Sequence, residues 1–226
     1  MIIVAARNEA DRIGATLDAL ADVFPGARVV VGDDASDDGT AEAALKHGAE
    51  VISRGRPHGK GANVTAAAYA VLQRASGADP PVFLLCDGDL GASARELPRL
   101  VEAVERGECD LAVAVFKQRL GGGFGIALGF ARWAIRRRCG VAPLAPISGQ
   151  RALRAEAFRA VVPFAAGFGI EVGMTIDAIR AGFRLREYEL DLQHRATGRS
   201  PRGFLHRAAQ LRDFARVYAS RRPQRR

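Results

Sequence analysis

The chain has 226 residues, 48% of them hydrophobic, enough for one well-cored α/β domain and too few for two comfortable ones. No stretch nears the ~20 uninterrupted apolar residues of a bilayer span; the best candidate, Phe124 to Ile135, is broken by Arg132. The formal net charge of +8 favours anionic partners, yet aromatic residues make up only 7% of the chain and no nucleic-acid motif appears, which argues against a basic nucleic-acid-binding module.

Ile2 to Ala6 is predicted as a buried strand, with neither basic leader nor cleavage site before it, so no signal peptide is expected. Ile13, Leu17, Leu20 and Phe24 then mark one face of a helix. Val29 to Val31 forms a second strand and ends in the acidic run Asp33-Asp34-Ala35-Ser36-Asp37-Asp38-Gly39-Thr40. Val51 and Ile52 make a short third strand, followed by a helix from about Asn63 to Arg74. Val82 to Cys86 is a wholly apolar fourth strand that runs straight into Asp87-Gly88-Asp89. Ser93 and Glu96 read as a capping box for a helix carrying Leu97, Leu100, Val101 and Val104, and Leu111 to Val115 is a fifth strand.

The second half is less regular. Gly121-Gly122-Gly123 precedes an apolar, basic helix from about Phe124 to Arg138. Ile147 to Leu153 reads as a strand entering a helix, Glu171 to Ala181 as a helix, and Tyr188, Leu190 and Leu192 alternate as in a strand. A last amphipathic helix carries Leu205, Ala208, Leu211 and Ala215. Strands alternating with helices predict a Rossmann-like α/β fold, a mostly parallel sheet flanked by helices, in one domain over residues 1–220 with a basic tail at 221–226. Three widely spaced cysteines, Cys86, Cys109 and Cys139, suit a reducing, cytoplasmic setting.

In an open parallel sheet, ligands bind beyond the carboxyl ends of the strands. Ala6-Arg7-Asn8-Glu9, Asp33-Asp34 and Asp87-Gly88-Asp89 all fall there. Two carboxylates one residue apart at the end of a buried strand suit a hard divalent cation, Mg²⁺ or Mn²⁺, shared with substrate phosphates; the alternative is a turn in which they cap backbone amides. Asp33 and Asp34 are placed to accept hydrogen bonds from a base or ribose, or else to stabilise a helix start. His58-Gly59-Lys60-Gly61 sets a lysine between glycines before a helix, where backbone amides and an ammonium approach a phosphate. Gly121-Gly122-Gly123-Phe124-Gly125 lacks the dinucleotide spacing and follows the fifth strand, which disfavours a nicotinamide dehydrogenase.

Val4-Ala5-Ala6-Arg7-Asn8-Glu9, the Asp-Asp-x-Ser-x-Asp-Gly-Thr run, Gly59-Lys60-Gly61 and Asp87-Gly88-Asp89 together resemble the GT-A glycosyltransferases of family 2, over essentially the first 120 residues. The resemblance implies a nucleotide-diphosphate-sugar donor, with the base near Ala6, Asn8, Glu9, Asp33 and Asp34. It also implies phosphates near Gly59 and Lys60, and a metal on Asp87-Gly88-Asp89 with Asp89 the central ligand. Residues 1–120 would form the nucleotide-sugar half and 121–220 the acceptor half.

Ser148-Gly149-Gln150-Arg151 followed by Phe158 resembles the acceptor segment of dolichyl-phosphate mannosyltransferase-like enzymes. The stretch from Phe164 through Gly167-Phe168-Gly169-Ile170-Glu171 to Gly173, with His194-Arg195 downstream, is similar to glucosyl-3-phosphoglycerate synthases. By that resemblance Gly149, Gln150, Gly169 and Glu171 are acceptor residues, His194 completes the metal site, and Arg195 reaches the diphosphate. Glu171 has the character of a base, or of a helix-start acid satisfied by the dipole. The expected reaction is hexosyl transfer to an acceptor of unknown identity, a small phosphorylated molecule among the candidates. The alternative is a polyprenyl phosphate, with the apolar, basic helix in peripheral contact with an anionic membrane on its cytoplasmic face. A homodimer is left open.

Overall fold

The computed structural model describes residues 1–73, 81–117, 125–193 and 201–222, and in the last segment side chains from residue 208 onward. Strands β1 (Ile2–Ala6), β2 (Val29–Asp33), β3 (Glu50–Ser53), β4 (Val82–Asp87), β5 (Leu111–Phe116), β6 (Arg151–Arg154) and β7 (Leu185–Leu190) form one sheet in the order β3-β2-β1-β4-β6-β5-β7. Every strand is parallel to the rest except β6, which runs antiparallel between β4 and β5. The central strands β1 and β4 are apolar on both faces because helices cover both, as parallel sheets require.

On one face, α1 (Ile13–Val23) and α4 (Pro98–Glu105) bury Ile13, Leu17, Leu20, Leu100 and Val104, with α2 (Thr40–Lys46) beside α1. On the other lie α3 (Lys60–Gln73), α6 (Ala155–Val161) and α7 (Ile170–Arg180), which contribute Val64, Val71, Phe158, Ile170 and Met174; Phe158 stacks on Phe83 of β4 at 4.0 Å between ring centroids. A third layer, α5 (Ile126–Cys139) and α8 (Pro201–Ser220), covers the outside of α7 through Ala131, Ile135, Val172, Ile176, Phe214 and Val217. Sandwiched between sheet and helices, α7 is buried nearly all round, and its run Ile170 to Ile176 has no exposed face, with Glu171 and Thr175 buried along with its apolar residues.

Four local expectations are corrected. The Ser93–Glu96 capping box is absent: Gly91–Glu96 is a 3-10 turn, the Ser93 hydroxyl donates to Leu90 O, and Pro98 in the first turn of α4 fixes the start of that helix instead. Residues 147–150 are loop, and the strand begins only at Arg151. Helix α3 starts at Lys60, three residues before the expected Asn63, so that the Gly59-Lys60-Gly61 lysine is itself helical. Finally, α8 buries Asp213, Phe214 and Val217 and leaves Ala208 and Ala215 exposed; the repeat of small residues marks its solvent side.

Candidate functional site

The chain leaves β1 toward β2 on one side and reaches β4 on the other, so the strand order reverses between β1 and β4 and opens a crevice at their carboxyl ends. Ala6 is in register with Asp33 of β2, and Ala5 with Asp87 of β4, which brings the three polar strand ends side by side. The Asp87-Gly88-Asp89 turn is fixed from beneath. Gly88 N donates to Ala5 O at 2.9 Å, while the buried Thr16 hydroxyl of α1 donates to Gly88 O and accepts Gly91 N, both at 2.8 Å. A Cβ at Gly88 would stand 3.3 Å from Ala6 Cβ, closer than the two strands readily allow.

Asp33 and Asp34 are buried and tied to their own loops. Asp33 accepts the Ser36 hydroxyl and the Ser53 hydroxyl, the latter at 2.9 Å. Asp34 accepts His58 N at 2.7 Å and Gly59 N at 3.0 Å, with Arg7 at 3.8 Å. These amides, expected from the sequence to face a phosphate, are thus spent on Asp34. Asn8 Oδ1 accepts Asp37 N at 3.2 Å, and Ser36 Oγ accepts Asn8 N at 2.9 Å, pinning the β1 loop to the β2 loop. Both loops carry a non-glycine residue in the left-handed region, Asn8 and Ala35, each with φ of 55°. For alanine that conformation is uncommon and costs about 1 kcal/mol, held here by the surrounding hydrogen bonds. Glu9 N donates to Thr40 Oγ1 at 2.9 Å.

Across the crevice, Lys60 stands between two carboxylates: its Nζ is 2.6 Å from Asp87 Oδ1 and 2.8 Å from Glu171 Oε1. Burial works against the ammonium, but Asp87 and Glu171 outweigh it and hold the Lys60 pKa above its ordinary value. The expected phosphate lysine is therefore placed as an internal bridge from α3 to β4 and α7. Gln150 donates to Asp87 Oδ2 at 2.8 Å and accepts the Ser148 hydroxyl at 3.1 Å. Gly149 lies flat against the bridge, since a Cβ there would be 2.6 Å from Asp87 Oδ2 and 2.7 Å from Lys60 Nζ.

Arg151 carries no weight in sequence reasoning beyond its place in a motif, yet among the described residues it is the largest fully buried side chain. Its guanidinium donates to Ser148 O at 2.7 Å, Thr175 Oγ1 at 2.8 Å and Pro146 O at 3.3 Å, so it shapes the loop that presents Gly149 and Gln150. Burial draws its pKa down to about 10. A lone arginine opening a strand directly after Ser-Gly-Gln was the available signal.

Gly169, expected at the acceptor, instead faces α8: a Cβ there would meet Val217 Cγ2 at 2.5 Å, so packing requires this glycine. Phe168 N donates to Asp213 Oδ2 of α8 at 3.1 Å, a contact the sequence did not signal. Asp89 is half-buried beside Asp87, with its carbonyl 3.5 Å from Arg12 Nη1. His194 and Arg195 lie outside the described residues. Among the described residues, no three His, Cys, Asp or Glu side chains converge as a metal cluster. The Asp87/Asp89 pair nevertheless fits Mg²⁺ or Mn²⁺, which take hard oxygen ligands, keep several waters and need only one or two carboxylates when substrate phosphates supply the rest.

A crevice at the strand-order reversal, floored by a fixed Asp-Gly-Asp turn, is the arrangement expected of the GT-A sugar-transferring enzymes that the sequence motifs resemble, and the comparisons establish that class. Residues 1–160 match the model of glycosyl transferase family 2. An undecaprenyl-phosphate mannosyltransferase of Micrococcus luteus is 32% identical over 216 residues, covering 88% of this chain and 86% of that protein. An uncharacterised glycosyltransferase of Mycobacterium tuberculosis is 29% identical over 207 residues, covering 88% of this chain and 87% of that one. Among solved structures, glucosyl-3-phosphoglycerate synthase of M. tuberculosis in complex with Mn²⁺, UDP and glucosyl-3-phosphoglycerate superposes with a TM-score of 0.75 at 26% identity, covering 97% of this chain and 78% of that one. The same enzyme with phosphoglyceric acid gives a TM-score of 0.77. The chain belongs to glycosyl transferase family 2 and is a glycosyltransferase.

Proposed function

We propose that the enzyme transfers a hexosyl group from a nucleoside diphosphate sugar to an acceptor that carries a phosphate. Residues 1–120 would hold the donor, with the base against the β1 and β2 loops at Ala6, Asn8, Glu9, Asp33 and Asp34. Asp87 and Asp89 would hold Mg²⁺ or Mn²⁺; the third-ligand role expected of His194 and the diphosphate contact expected of Arg195 fall on residues outside those described. Bound there, the cation neutralises charge on the departing diphosphate. In the transfer, the bond from the sugar anomeric carbon to the β-phosphate oxygen breaks with its electron pair on the diphosphate. An acceptor oxygen then bonds to that carbon.

The observation that carries the phosphate acceptor is the state of Glu171. Glu171 Oε1 lies 2.8 Å from Lys60 Nζ, so this carboxylate is engaged by an ammonium instead of facing an acceptor hydroxyl. An acceptor phosphate is already anionic and needs no base. Glu171 then serves to hold Lys60, and Gly149 and Gln150 form the acceptor wall above it. The two named relatives support this reading, one through its undecaprenyl-phosphate name and the other through its bound phosphoglyceric acid. The lipid-linked acceptor is the second reading, favoured by the coverage of that relative across the acceptor half. It implies a cytoplasmic protein in peripheral contact with the membrane; among the described residues no helix is long and apolar enough to cross one.

A thermal-shift panel of nucleotide sugars with and without Mn²⁺ tests the donor. One donor should raise the melting temperature only with metal present, by mass action. If no nucleotide sugar moves it in either condition, the proposal fails.

A further inference from the structure

The outer layer presents a surface the transfer chemistry does not use. Helix α5 buries Ala131, Ala134 and Ile135 inward and turns Ile126 and Trp133 to solvent, 64% and 48% exposed. Leu144, in the loop after α5, is 62% exposed, and Val141 beside it is exposed as well. Leu144 is held out rather than left loose. Arg132 Nε donates to Pro143 O at 2.9 Å and its Nη2 to Leu144 O at 3.0 Å, while Glu187 accepts Leu144 N at 2.8 Å and Ala145 N at 2.6 Å. On the other side, Trp133 packs on Tyr218 of α8 at 4.8 Å, and Arg138 lies over the same ring at 3.6 Å.

Apart from Glu187, whose carboxylate is taken up by the Leu144 and Ala145 amides, the charge carried by this helix and loop is positive. Between Asp110 and Glu156 the chain carries no carboxylate, while α5 alone carries Arg132, Arg136, Arg137 and Arg138. Arg136 and Arg137 are exposed at the end of the helix, next to the apolar side chains. A second copy of the chain docked on the same patch would set these arginines against their own counterparts, since a two-fold interface is self-complementary. Apolar side chains rimmed by arginine match instead the acyl boundary and head groups of an anionic bilayer.

We infer that α5 and the loop at 141–144 form a docking face for an anionic lipid membrane, with Trp133, Ile126 and Leu144 entering the interface and Arg136 and Arg137 against the head groups. The loop lies within reach of the acceptor wall, since Leu144 and Gly149 are five positions apart, at most ~17 Å of extended chain. The purpose of the face rests on the lipid-linked acceptor reading above, but the docking itself is measured without any acceptor.

Trp133 is the sole tryptophan, so its emission reports this face directly. With the full chain, phosphatidylcholine vesicles containing phosphatidylglycerol should blue-shift the emission and co-sediment the protein. Pure phosphatidylcholine should do neither, and high salt should reverse the binding. The double variant Arg136→Glu/Arg137→Glu should bind at least about tenfold more weakly. Leu144→Glu should lose the blue shift. Both should keep the wild-type melting temperature and the wild-type response to nucleotide sugar with Mn²⁺, so loss of docking is separable from loss of the donor site. Unchanged emission with anionic vesicles, or equal binding by the arginine variant, overturns the inference. So does a concentration-dependent dimer abolished by Leu144→Glu without vesicle binding, which would give the face to a second copy. Oligonucleotide binding in place of vesicle binding would assign it to nucleic acid.

Discussion

In the half of the sheet built from β1 to β4, polar side chains at the strand ends are held by neighbours close in sequence or on the adjoining loop. Asp33 meets Ser36, Asp38 meets Thr40, and Asn8 meets Asp37 across two adjacent strand ends. In the half beyond β5, the contacts that shape the site join distant parts of the chain. Lys60 reaches Glu171 over 111 positions, Gln150 reaches Asp87 over 63, and Phe168 N is held by Asp213 of the last helix. The difference is one of entropy and folding order. Local turns close cheaply and form wherever their residues occur, whereas long-range polar contacts exist only once the layers have packed. One consequence is that donor-side residues should be separable, one function each, while acceptor-side residues should couple stability to activity.

The sharpest way to break that contrast is Asp89→Ala. The turn that carries Asp89 is held by backbone contacts to β1 and by Thr16. The variant should therefore keep its melting temperature while metal-dependent donor turnover falls about a thousandfold, ~4 kcal/mol of transition-state stabilisation. Turnover within a few-fold of the parent would remove the metal from the mechanism. Arg151→Met asks the opposite question. It strips buried donors from Ser148 O, Pro146 O and Thr175 Oγ1. Urea unfolding should show a loss of ~3 kcal/mol, because buried acceptors left unmet each carry a desolvation cost. A loss below ~1 kcal/mol would mean the acceptor wall supports itself.

The same contrast explains what could be read from the sequence. All seven strands and the three polar strand ends were legible, since apolar runs ending in acid or glycine are local patterns and the sheet rule places their ends together. Asp34 was legible as a carboxylate at a strand end, but nothing in the chain announces that the His58 and Gly59 amides will fold back onto it. Lys60 was read as a phosphate ligand because its glycine neighbours suggest one. Only the docking of α7 reveals Glu171 on its other side. The face of α8 was misread because alanines and leucines recur at helical spacing, while the contact that fixes the helix is made by a buried aspartate.

Two smaller perturbations sharpen the comparison. Gly149→Ala places a methyl group within 2.7 Å of both Lys60 Nζ and Asp87 Oδ2, atoms at the ends of side chains that are themselves pinned. Turnover should fall about tenfold, with the melting temperature moving by only a few degrees, because the bridge must shift while the core stays packed. A fall in melting temperature as large as that of Arg151→Met would show that the bridge is a structural element before it is a catalytic one.

The smallest effect tests a polar contact placed well away from the crevice. Asp110, at the start of β5, accepts the Arg184 amide at 2.8 Å and its guanidinium at 3.2 Å, with Arg154 at 3.5 Å. Burial works to raise its pKa, but the Arg184 amide, the Arg184 guanidinium and Arg154 outweigh it and hold the carboxyl below its ordinary value. A group depressed in the folded state contributes stability above its unfolded pKa, near 4, and loses it as pH falls through the lower folded value. The two arginines are largely solvent-exposed, so the contribution is about 1 kcal/mol after screening. Asp110→Asn should therefore be less stable than the parent by that amount at neutral pH in urea titrations, and the two curves should converge as the pH falls through the depressed folded-state value. Parallel curves over the whole range would mean that the amide bond to Arg184, which asparagine keeps, holds β5 to β7 without help from the charge.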